Sequence, residues 1–484
     1  MRDYVVIISV NDAVTRTVAR KLRAEHFCCK IEPVGTPAAA VQQADARGVI
    51  VAAAATGVTA ELPELKDYLQ SGVPMLCLGD AALTLCEVAG GTLSDLPQPG
   101  GVEQVQFNHS HALLGNTEDG ERYQHAYRYM TELPENAEPA AATQDGVLGF
   151  QLPQRDVWGL ALQLERNDMG GTQLLLSFCR DVCGCTMWWS NQAFIERAKA
   201  AITMAAGSGD ALCALSGGVD SGVCALLGHM ALGARLHCIF VDTGLLRKNE
   251  ANQVMEFYST QAGLNLRRVD ASEEFLTALA GVSDPAEKEQ IIFHLLRKVL
   301  KQEMARHDNI RLLIQGTNYS DVLKGSAYPL QAEEVAVIEP VRELFKDEVR
   351  VIGEELGMSP AMLLRQPFPG SGLASRIMGD VTPEKLAIVR EADAIFRYEI
   401  TENNQAKRLW QYFAALADDP DPDGGYVVTL RAVQAVDGSG GMAARLPNDL
   451  LERVTLEILQ RCPQVRRVMF DLTPSKSYTP MDTL

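Results

Sequence analysis

Runs of consecutive apolar residues alternate with helically spaced apolar residues through the first third of the chain. Tyr4–Val10, Gly48–Ala54 and Pro74–Leu78 are apolar runs of strand length, whereas Val14–Arg23 has the apolar spacing of a helix. Strands without polar alternation are typical of a parallel sheet that helices cover on both faces. The pattern therefore predicts an N-terminal α/β domain with a mostly parallel sheet.

The same pattern returns after the small residues Gly207–Gly209, which we take as a boundary region. Helical stretches separate four short apolar runs, which we predict as strands at Ala211–Leu215, His237–Val241, Leu264–Val269 and Leu312–Gln315. Strands separated by helices imply βαβ units. We therefore predict a second α/β domain in the middle of the chain.

The last part of the chain has a different pattern. The spacing predicts helices over Pro383–Glu402 and Asn448–Arg461, and strands over Tyr426–Arg431 and Arg467–Asp471. This order of elements indicates a smaller α+β domain.

Length and charge narrow the organisation and the possible partners. The 484 residues predict about three domains of roughly 150 residues, which we place at residues 1–190, 191–370 and 371–484.

The net charge is −18, with 44 Lys and Arg against 62 Asp and Glu. We therefore expect no nucleic-acid partner, because phosphate contacts need clustered cations. No apolar run has the length of a membrane span, and the start lacks the features of a signal peptide, so we expect no membrane partner. Eleven scattered cysteines predict reduced thiols and a cytoplasmic location.

One glycine-rich segment lies between a predicted strand and a predicted helix, and it reads Ser216-Gly217-Gly218-Val219-Asp220-Ser221. Glycines let a backbone approach an anion closely, and the amides and dipole at a helix start attract negative charge. The full string in this context predicts a phosphate site in preference to an ordinary strand-to-helix turn. It is not a Walker-A loop, because it lacks the Gly-Lys-Ser/Thr ending.

Asp220 has the wrong charge for a phosphate contact. We expect it either to cap the following helix or to lie near a magnesium ion. Further polar segments end predicted strands or open a predicted helix, at Val241–Gly244, Gln315–Asp321 and Leu344–Arg350. Open α/β sheets place ligand groups at the carboxyl ends of their strands, where Val241–Gly244 lies. Each segment alone would be a routine cap or a solvated helix face.

Together, and in this order, the segments resemble the GMP synthase family, the glutamine-dependent amidotransferases that convert XMP to GMP. The glycine-rich segment looks like the pyrophosphate loop of the N-type ATP pyrophosphatases, which split ATP between its α- and β-phosphates. The resemblance covers almost the whole chain and is closest over Ser216–Asp270, Glu339–Gly370 and Val428–Val433. It implies a class I amidotransferase-like (flavodoxin-like) domain, a central ATP pyrophosphatase domain of the adenine nucleotide alpha hydrolase-like fold, and a C-terminal α+β dimerisation domain.

The resemblance also implies a chemistry and a set of site residues. ATP and Mg²⁺ are the implied cofactors, XMP or a similar nucleotide and ammonia the substrates, and a homodimer the assembly. Adenylation of the xanthine C2 oxygen would let ammonia displace AMP, with pyrophosphate as the other product. The implied catalytic residues are Asp220, Asp242 and Lys346, with both aspartates near the metal. The implied ATP contacts are Ser216, Gly217, Gly218, Val219, Asp220, Ser221, Gln315, Gly316 and Thr317, and those with the acceptor nucleotide are Arg365, Pro369, Gly370, Arg431 and Lys476.

The N-terminal part departs from the family pattern. The family places a nucleophilic cysteine in a Gly-x-Cys-x-Gly turn, where this chain has Gly79, and Cys77 falls two residues too early. Gln163 replaces the family's catalytic histidine, and only Glu165 of that motif remains. A glutamine cannot deprotonate a thiol, and alanines replace the glycines of the oxyanion hole. We therefore predict that Gly79, Gln163 and Glu165 form a degenerate site without glutaminase activity.

The segments that recognise XMP in the family also differ here. The lid interval Leu323–Ile338 lacks the family's Lys-Ser-His-His-Asn motif, and Thr473–Pro480 replaces the family's tail. Three functions therefore stay open. The chain makes GMP with free or externally supplied ammonia, or it aminates or thiolates another nucleotide or metabolite by the same ATP chemistry, or it binds nucleotide without catalysis. The intact loop argues against the third.

Overall fold

The apolar runs of the first two regions become the central strands of two separate parallel sheets. The structure is a computed structural model, which describes residues 3–56, 61–62, 64–95, 102–115, 117, 122–125, 128–166, 170–323, 335–363, 365–366, 368, 370–417, 424–436 and 440–474. The chain divides into two units, Met1–Phe194 and Ile195–Leu484. Helix α6 spans this division, and its bounds are Asn191–Ala206.

The first unit is an α/β fold. Its described strands are β1 Val5–Ser9, β2 Cys29–Pro33, β3 Gly48–Ala52, β4 Met75–Leu78, β5 Thr92–Asp95, β6 Val102–Gln104, β7 Gln106–Phe107, β8 Arg122–Gln124, β9 Arg128–Glu132, β10 Glu138–Ala142, β11 Val147–Leu152 and β12 Val157–Leu160. Its described helices are α1 Asp12–Ala24, α2 Ala38–Gln43, α3 Leu65–Ser71, α4 Asp80–Val88 and α5 Gly170–Ser177.

Ten strands of this unit form one sheet, in the order β2-β1-β3-β4-β12-β11-β10-β7, with β9 pairing β11 and β5. Neighbours from β2 to β12 run parallel, and neighbours from β12 to β7 run antiparallel. Strands β3 and β4 are buried along their whole length. Their uninterrupted apolar sequences fit this position, since both faces of each strand are shielded from water.

The second unit contains the second predicted parallel sheet. Its described strands are β13 Asp210–Ala214, β14 Leu236–Asp242, β15 Leu266–Asp270, β16 Ile310–Ile314, β17 Ala336–Ile338, β18 Gln411–Leu416, β19 Tyr426–Val436, β20 Gly440–Ala443 and β21 Val465–Asp471. Its described helices are α7 Val219–Leu232, α8 Glu250–Met255, α9 Ser272–Leu279, α10 Pro285–Met304, α11 Tyr319–Leu323, α12 Lys346–Glu355, α13 Pro360–Leu363, α14 Pro383–Glu402 and α15 Asn448–Arg461.

Five of these strands form an all-parallel sheet in the order β15-β14-β13-β16-β17. The chain leaves β13 toward β14 on one side and later returns to β16 on its other side. Such a reversal of strand order opens a crevice outside the carboxyl ends of the strands. The glycine-rich loop follows β13 and therefore lies at this crevice.

The C-terminal part forms a second sheet in the same unit. Strand β19 pairs antiparallel with β18 and β20, and parallel with β21. One hydrophobic core contains Leu212 and Phe275 from the region of the parallel sheet together with Phe396 and Val454 from the C-terminal helices. The predicted boundary at residue 370 thus lies within one unit, and we keep the three-domain division as a proposal because the two sheets are separate.

The α/β fold class predicted from the sequence is confirmed, with parallel sheets in both units. Within the ranges that the structure describes, no helix combines the length and the hydropathy of a membrane span. All eleven cysteines are buried and free, as expected of reduced thiols.

Candidate active site

The glycine-rich loop joins β13 to α7, and its own serines hold its shape. The Ser216 amide donates a hydrogen bond to Ser221 Oγ at 3.2 Å, and the two serine hydroxyls lie 3.0 Å apart. Ser221 Oγ also lies 3.1 Å from the Gly218 carbonyl, to which it can donate. Gly218 is the N-cap of α7, and no described side chain caps this helix. The amides of its first turn are therefore suited to bind an anion.

Two glycines let the backbone come close at this loop. Gly217 has a φ of +81°, a conformation that side chains disfavour. A Cβ atom on Gly316 would lie 2.6 Å from the Ser221 amide nitrogen and 2.9 Å from the Asp220 carbonyl carbon. The segment after β16 therefore packs directly against the start of α7, and only glycine fits there.

Asp220 lies in the first turn of α7 and pairs with Lys346, the first residue of α12. Lys346 Nζ donates a hydrogen bond to Asp220 Oδ2. Asp220 Oδ1 is buried and has no hydrogen-bond partner among the described residues. The alternative that Asp220 caps the helix is therefore wrong, because Gly218 is the N-cap and the carboxylate contacts Lys346 instead.

The two aspartates predicted to lie near the metal differ in their surroundings. Asp220 keeps one free buried oxygen, which is the kind of ligand that Mg²⁺ takes. Asp242 has both oxygens engaged, since Oδ1 accepts from the Gly244 amide at 3.0 Å and Oδ2 from Arg268 at 2.5 Å. In the described part of the chain, no group of three or more His, Cys, Asp or Glu could hold a metal. Of the two predicted metal ligands, Asp220 is thus the one with a carboxylate oxygen that has no partner among the described residues.

Gln315 and Thr317 flank Gly316 at the end of β16. The backbone N–H of Gln315 donates to the Ile338 carbonyl at 3.0 Å, and the backbone carbonyl of Gln315 accepts from Cys224 Sγ at 3.5 Å. Gln315 Oε1 is buried and lacks a partner in the part of the chain that is described. The side-chain oxygen of Gln315 is thus a candidate hydrogen-bond acceptor for a ligand beside the loop.

Two arginines predicted to contact the acceptor nucleotide are engaged within the protein. Arg365 donates to the Gly217 carbonyl at 2.7 Å and to Glu250 Oε1 at 2.6 Å. Arg431 is 5% exposed, and its Nη1 donates to Asp471 at 2.5 Å. Arg365 therefore contacts the loop itself.

Of the three other residues predicted to contact the acceptor nucleotide, the structure describes only Gly370. Gly370 is exposed and lies close to the ring of Phe293. Pro369 and Lys476 lie outside the described residues.

Sequence reasoning missed Glu250 and Arg268, which both touch predicted site residues. Arg268 lies in β15 and pairs with Asp242, while Glu250 opens α8 and pairs with Arg365. A signal for Arg268 was present, because charged residues are unusual inside a strand of a parallel sheet. No comparable signal marked Glu250, since an acidic residue in the first turn of a helix is common.

Gly79, the first residue of the site that the sequence predicts to be degenerate, lies at the turn from β4 to α4 in the first unit. Gly79 forms this turn with φ +58° and ψ −130°, a conformation that is strained for other residues. A Cβ atom on Gly79 would lie 2.6 Å from the Ala54 carbonyl oxygen and still closer to that of Ala53. The Asp80 amide donates to the Ala54 carbonyl at 2.8 Å. In sharp strand-to-helix turns of this type, the turn residue carries the nucleophile and the next backbone amide binds the oxyanion. Here the backbone after β3 fills the space that a side chain on Gly79 would need, and it accepts the hydrogen bond of the Asp80 amide.

The other two residues predicted for this site, Gln163 and Glu165, are buried. Gln163 Oε1 and Glu165 Oε2 are buried without hydrogen-bond partners among the described residues. Burial raises the pKa of Glu165, and the nearby Arg166 and Lys21 offset this shift only in part. Burial, and more weakly Glu87, raises the pKa of Cys86 to about 11.

Cys77 lies inside β4, as predicted. It is fully buried, and burial raises the pKa of its thiol far above the usual range. A thiol with so high a pKa is protonated at neutral pH and is a poor nucleophile.

Comparison with known proteins places the chain in one family. A profile described as "GMP synthase C terminal domain" matches residues 398–480, and one described as "Thiamine biosynthesis protein (ThiI)" matches residues 206–358. A glutamine-hydrolyzing GMP synthase of Caldicellulosiruptor saccharolyticus is 36% identical over 500 residues, covering 97% of this chain and 98% of its own. The corresponding enzymes of Clostridium botulinum (strain Kyoto / Type A2) and Clostridium novyi are 34% and 35% identical, and each alignment covers 98% of this chain. The chain belongs to the GMP synthase family.

Proposed function

We propose that this protein catalyses the ATP-dependent amination of XMP to GMP, with release of AMP and pyrophosphate. The observation that carries the proposal is the loop of Ser216–Ser221, whose amides and hydroxyls converge at the start of α7. Membership of the GMP synthase family supports the same reaction. An enzyme with this activity is an ATP-dependent C–N ligase.

The residues of the crevice can divide this chemistry among them. The loop binds the β- and γ-phosphates, since amides at a helix start attract anions. Lys346 lies beside Asp220 and can balance the negative charge of the departing pyrophosphate. A bound Mg²⁺ would supply further charge stabilisation on the phosphates. Asp220 would hold that ion through its unpartnered oxygen.

We further propose that the first unit does not hydrolyse glutamine, although the named relatives are glutamine-hydrolyzing. Hydrolysis needs a nucleophile, a base and an oxyanion site. Gly79 carries no side chain, Gln163 cannot act as a base, and the Asp80 amide is bonded to Ala54. Free ammonia, or ammonia from a separate glutaminase, then supplies the nitrogen, and the first unit serves packing or regulation.

One experiment tests both proposals. The purified full chain is incubated with ATP, Mg²⁺ and XMP, with either ammonium or glutamine as the nitrogen source, and AMP, GMP and glutamate are measured. We expect AMP and GMP with ammonium, and neither GMP nor glutamate with glutamine. Glutamate release at an ordinary enzymatic rate would refute the second proposal. Absence of AMP with XMP and ammonium would refute the first.

The alternative function is the same ATP chemistry on an acceptor other than XMP. The observation that favours it is Arg431, which was expected to contact the acceptor but is buried and paired with Asp471. AMP release only with another nucleotide or metabolite, in a screen of acceptors, would select this alternative.

We also propose a homodimer formed through the part of the chain after residue 370. Several large apolar side chains of this part are at least 44% exposed, namely Tyr398, Met442, Leu456, Met469 and Leu472. Large apolar side chains of this kind mark an interaction surface where they lie side by side. Light scattering of the purified chain should give twice the mass of 52.7 kDa, and a monomer at micromolar concentration would contradict the proposal.

A further inference from the structure

Glu250 and Arg365 form an ion pair that contacts the pyrophosphate loop through one backbone carbonyl. Arg365 Nη1 donates to the Gly217 carbonyl at 2.7 Å, and Nη2 donates to Glu250 Oε1 at 2.6 Å. The side chains of Arg365 and Glu250 are only 13% and 6% exposed. A planar guanidinium that uses two nitrogens at once fixes the direction of both contacts.

Glu250 is itself held in place. Its second oxygen, Oε2, accepts from the Arg247 amide at 2.9 Å. The Arg247 guanidinium lies 4.2 Å from the ring centre of Phe368 and 3.6 Å from Asp393 Oδ2. Both oxygens of Glu250 are thus engaged, so its position does not depend on a flexible surface contact.

The contact with Gly217 affects the amide that follows it. In a trans peptide the carbonyl of one residue and the N–H of the next point in opposite directions. Fixing the Gly217 carbonyl on Arg365 therefore fixes the direction of the Gly218 N–H, which faces Ser216 Oγ at 3.3 Å. A Cβ atom on Gly217 would lie 2.9 Å from Val254 and 3.0 Å from Arg365 Nη1, so the loop packs tightly on this side.

We propose that Glu250 and Arg365 are positioning residues, which hold the loop in the shape that binds the pyrophosphate part of ATP before the nucleotide arrives. This inference rests on the proposed function, because it requires that the loop bind pyrophosphate. Arg365 acts here through Gly217, and Glu250 acts through Arg365. A preformed loop binds more tightly because little ordering remains to oppose binding.

The test uses the full chain with Glu250→Gln and Arg365→Lys, and magnesium pyrophosphate and AMP as probes in calorimetry. Glutamine keeps one acceptor without the charge, and lysine cannot reach both partners with a fixed fork. We expect both variants to bind magnesium pyrophosphate about 10- to 100-fold more weakly, the range for losing a hydrogen bond to a charged group. Binding of AMP, which lacks the pyrophosphate, should change less than twofold.

Arg453→Lys is the matched control, because Arg453 in α15 bridges Glu399 in α14 and Asn403, the C-cap of that helix, and is remote from the loop in sequence. It should bind both probes as the parent does. A merely structural pair would lower the melting temperature while leaving the pyrophosphate affinity of the folded variant unchanged, and that result would overturn the inference. So would an equal loss of AMP and pyrophosphate binding.

The inference and the proposed function fail in different ways. Parent protein that binds magnesium pyrophosphate but forms no AMP with XMP and ammonium would refute the function and leave the positioning role standing. Parent protein that forms AMP and GMP but does not bind magnesium pyrophosphate would refute the positioning role and leave the function standing. Circular dichroism of each variant at the assay temperature establishes that the folded protein is being measured.

Discussion

The backbone of Gly316 touches that of Ser221, at the point where the loop after β16 meets the first turn of α7. A Cβ atom on Gly316 would lie 2.6 Å from the Ser221 amide nitrogen and 2.7 Å from its Cα. Neither neighbour is a flexible side chain, so one backbone segment would have to move. The start of α7 is the proposed phosphate site, and its geometry thus depends on a residue 95 positions later in the chain.

Gly316→Ala should therefore weaken ATP binding. Overpacking of this kind costs about 1–3 kcal/mol, and here the displaced atoms belong to the loop itself. We expect a Kd for magnesium ATP that is raised about fivefold or more, measured by calorimetry. Gly115→Ala is the control, because the nearest atom to its Cβ would be 3.8 Å away. An unchanged Kd in Gly316→Ala would show that the loop tolerates the shift.

Lys346→Met should slow AMP formation strongly. The variant removes the cation beside Asp220 and, with it, a charge available to the departing pyrophosphate. Loss of one such group costs roughly 10²- to 10³-fold in kcat. Lys298→Met removes a similar lysine from the exposed pair with Glu274, and it should leave kcat unchanged. A kcat within threefold of the parent would exclude a catalytic role for Lys346.

Gly79→Cys should not restore glutaminase activity, even when combined with Gln163→His. The new side chain would meet the Ala54 carbonyl at 2.6 Å from a backbone conformation that disfavours any side chain. We expect no glutamate release and a loss of roughly 1–3 kcal/mol in stability by urea unfolding. Gly72→Ala separates the two causes, because Gly72 has a φ of +72° but no atom within 4 Å of its Cβ. If Gly79→Cys loses no more stability than Gly72→Ala, a side chain at position 79 does not clash with the Ala54 carbonyl.

Glu165→Gln should stabilise the protein near neutral pH. Burial raises the pKa of Glu165 in the folded state, so the folded state binds the proton more tightly than the unfolded state. Ionisation of Glu165 therefore opposes folding, and this destabilisation develops as the pH rises above the unfolded pKa of about 4.3. We expect Glu165→Gln to raise Tm at pH 7.5 and to have little effect at pH 4. A lower Tm at pH 7.5 would mean that the carboxylate is favourably paired.

The sequence predicted the parallel strands closely, and for an identifiable reason. The apolar run Gly48–Ala54 contains strand β3, and the run Ala211–Leu215 covers β13 except for its first residue, Asp210, because a strand buried on both faces requires uninterrupted apolar residues. The helix over Pro383–Glu402 was predicted from its apolar spacing with its observed bounds, and the structure shows that Thr382 caps it and that Pro383 lies in its first turn. These signals are local, and a single sequence is sufficient to recognise them.

The partners of individual charges were not predictable in this way. Asp220 was expected to cap a helix or to lie near a metal, and it pairs with Lys346, 126 positions away. Arg365 was expected to contact the acceptor nucleotide, and it contacts Gly217 and Glu250. Each of these contacts joins segments that only the packed fold brings together.

By itself the sequence indicated the α/β class, the position of the glycine-rich loop, the resemblance to one enzyme family and three departures from the glutaminase pattern of that family. Only the tertiary structure decided that Asp242 is engaged by Arg268, that Gly79 has no room for a side chain, and that Arg365 contacts both Glu250 and the loop. The physical reason is a difference in range. Hydrophobic periodicity and turn chemistry act between near neighbours in the chain, whereas ion pairs and steric fit depend on distances between residues that are far apart in sequence.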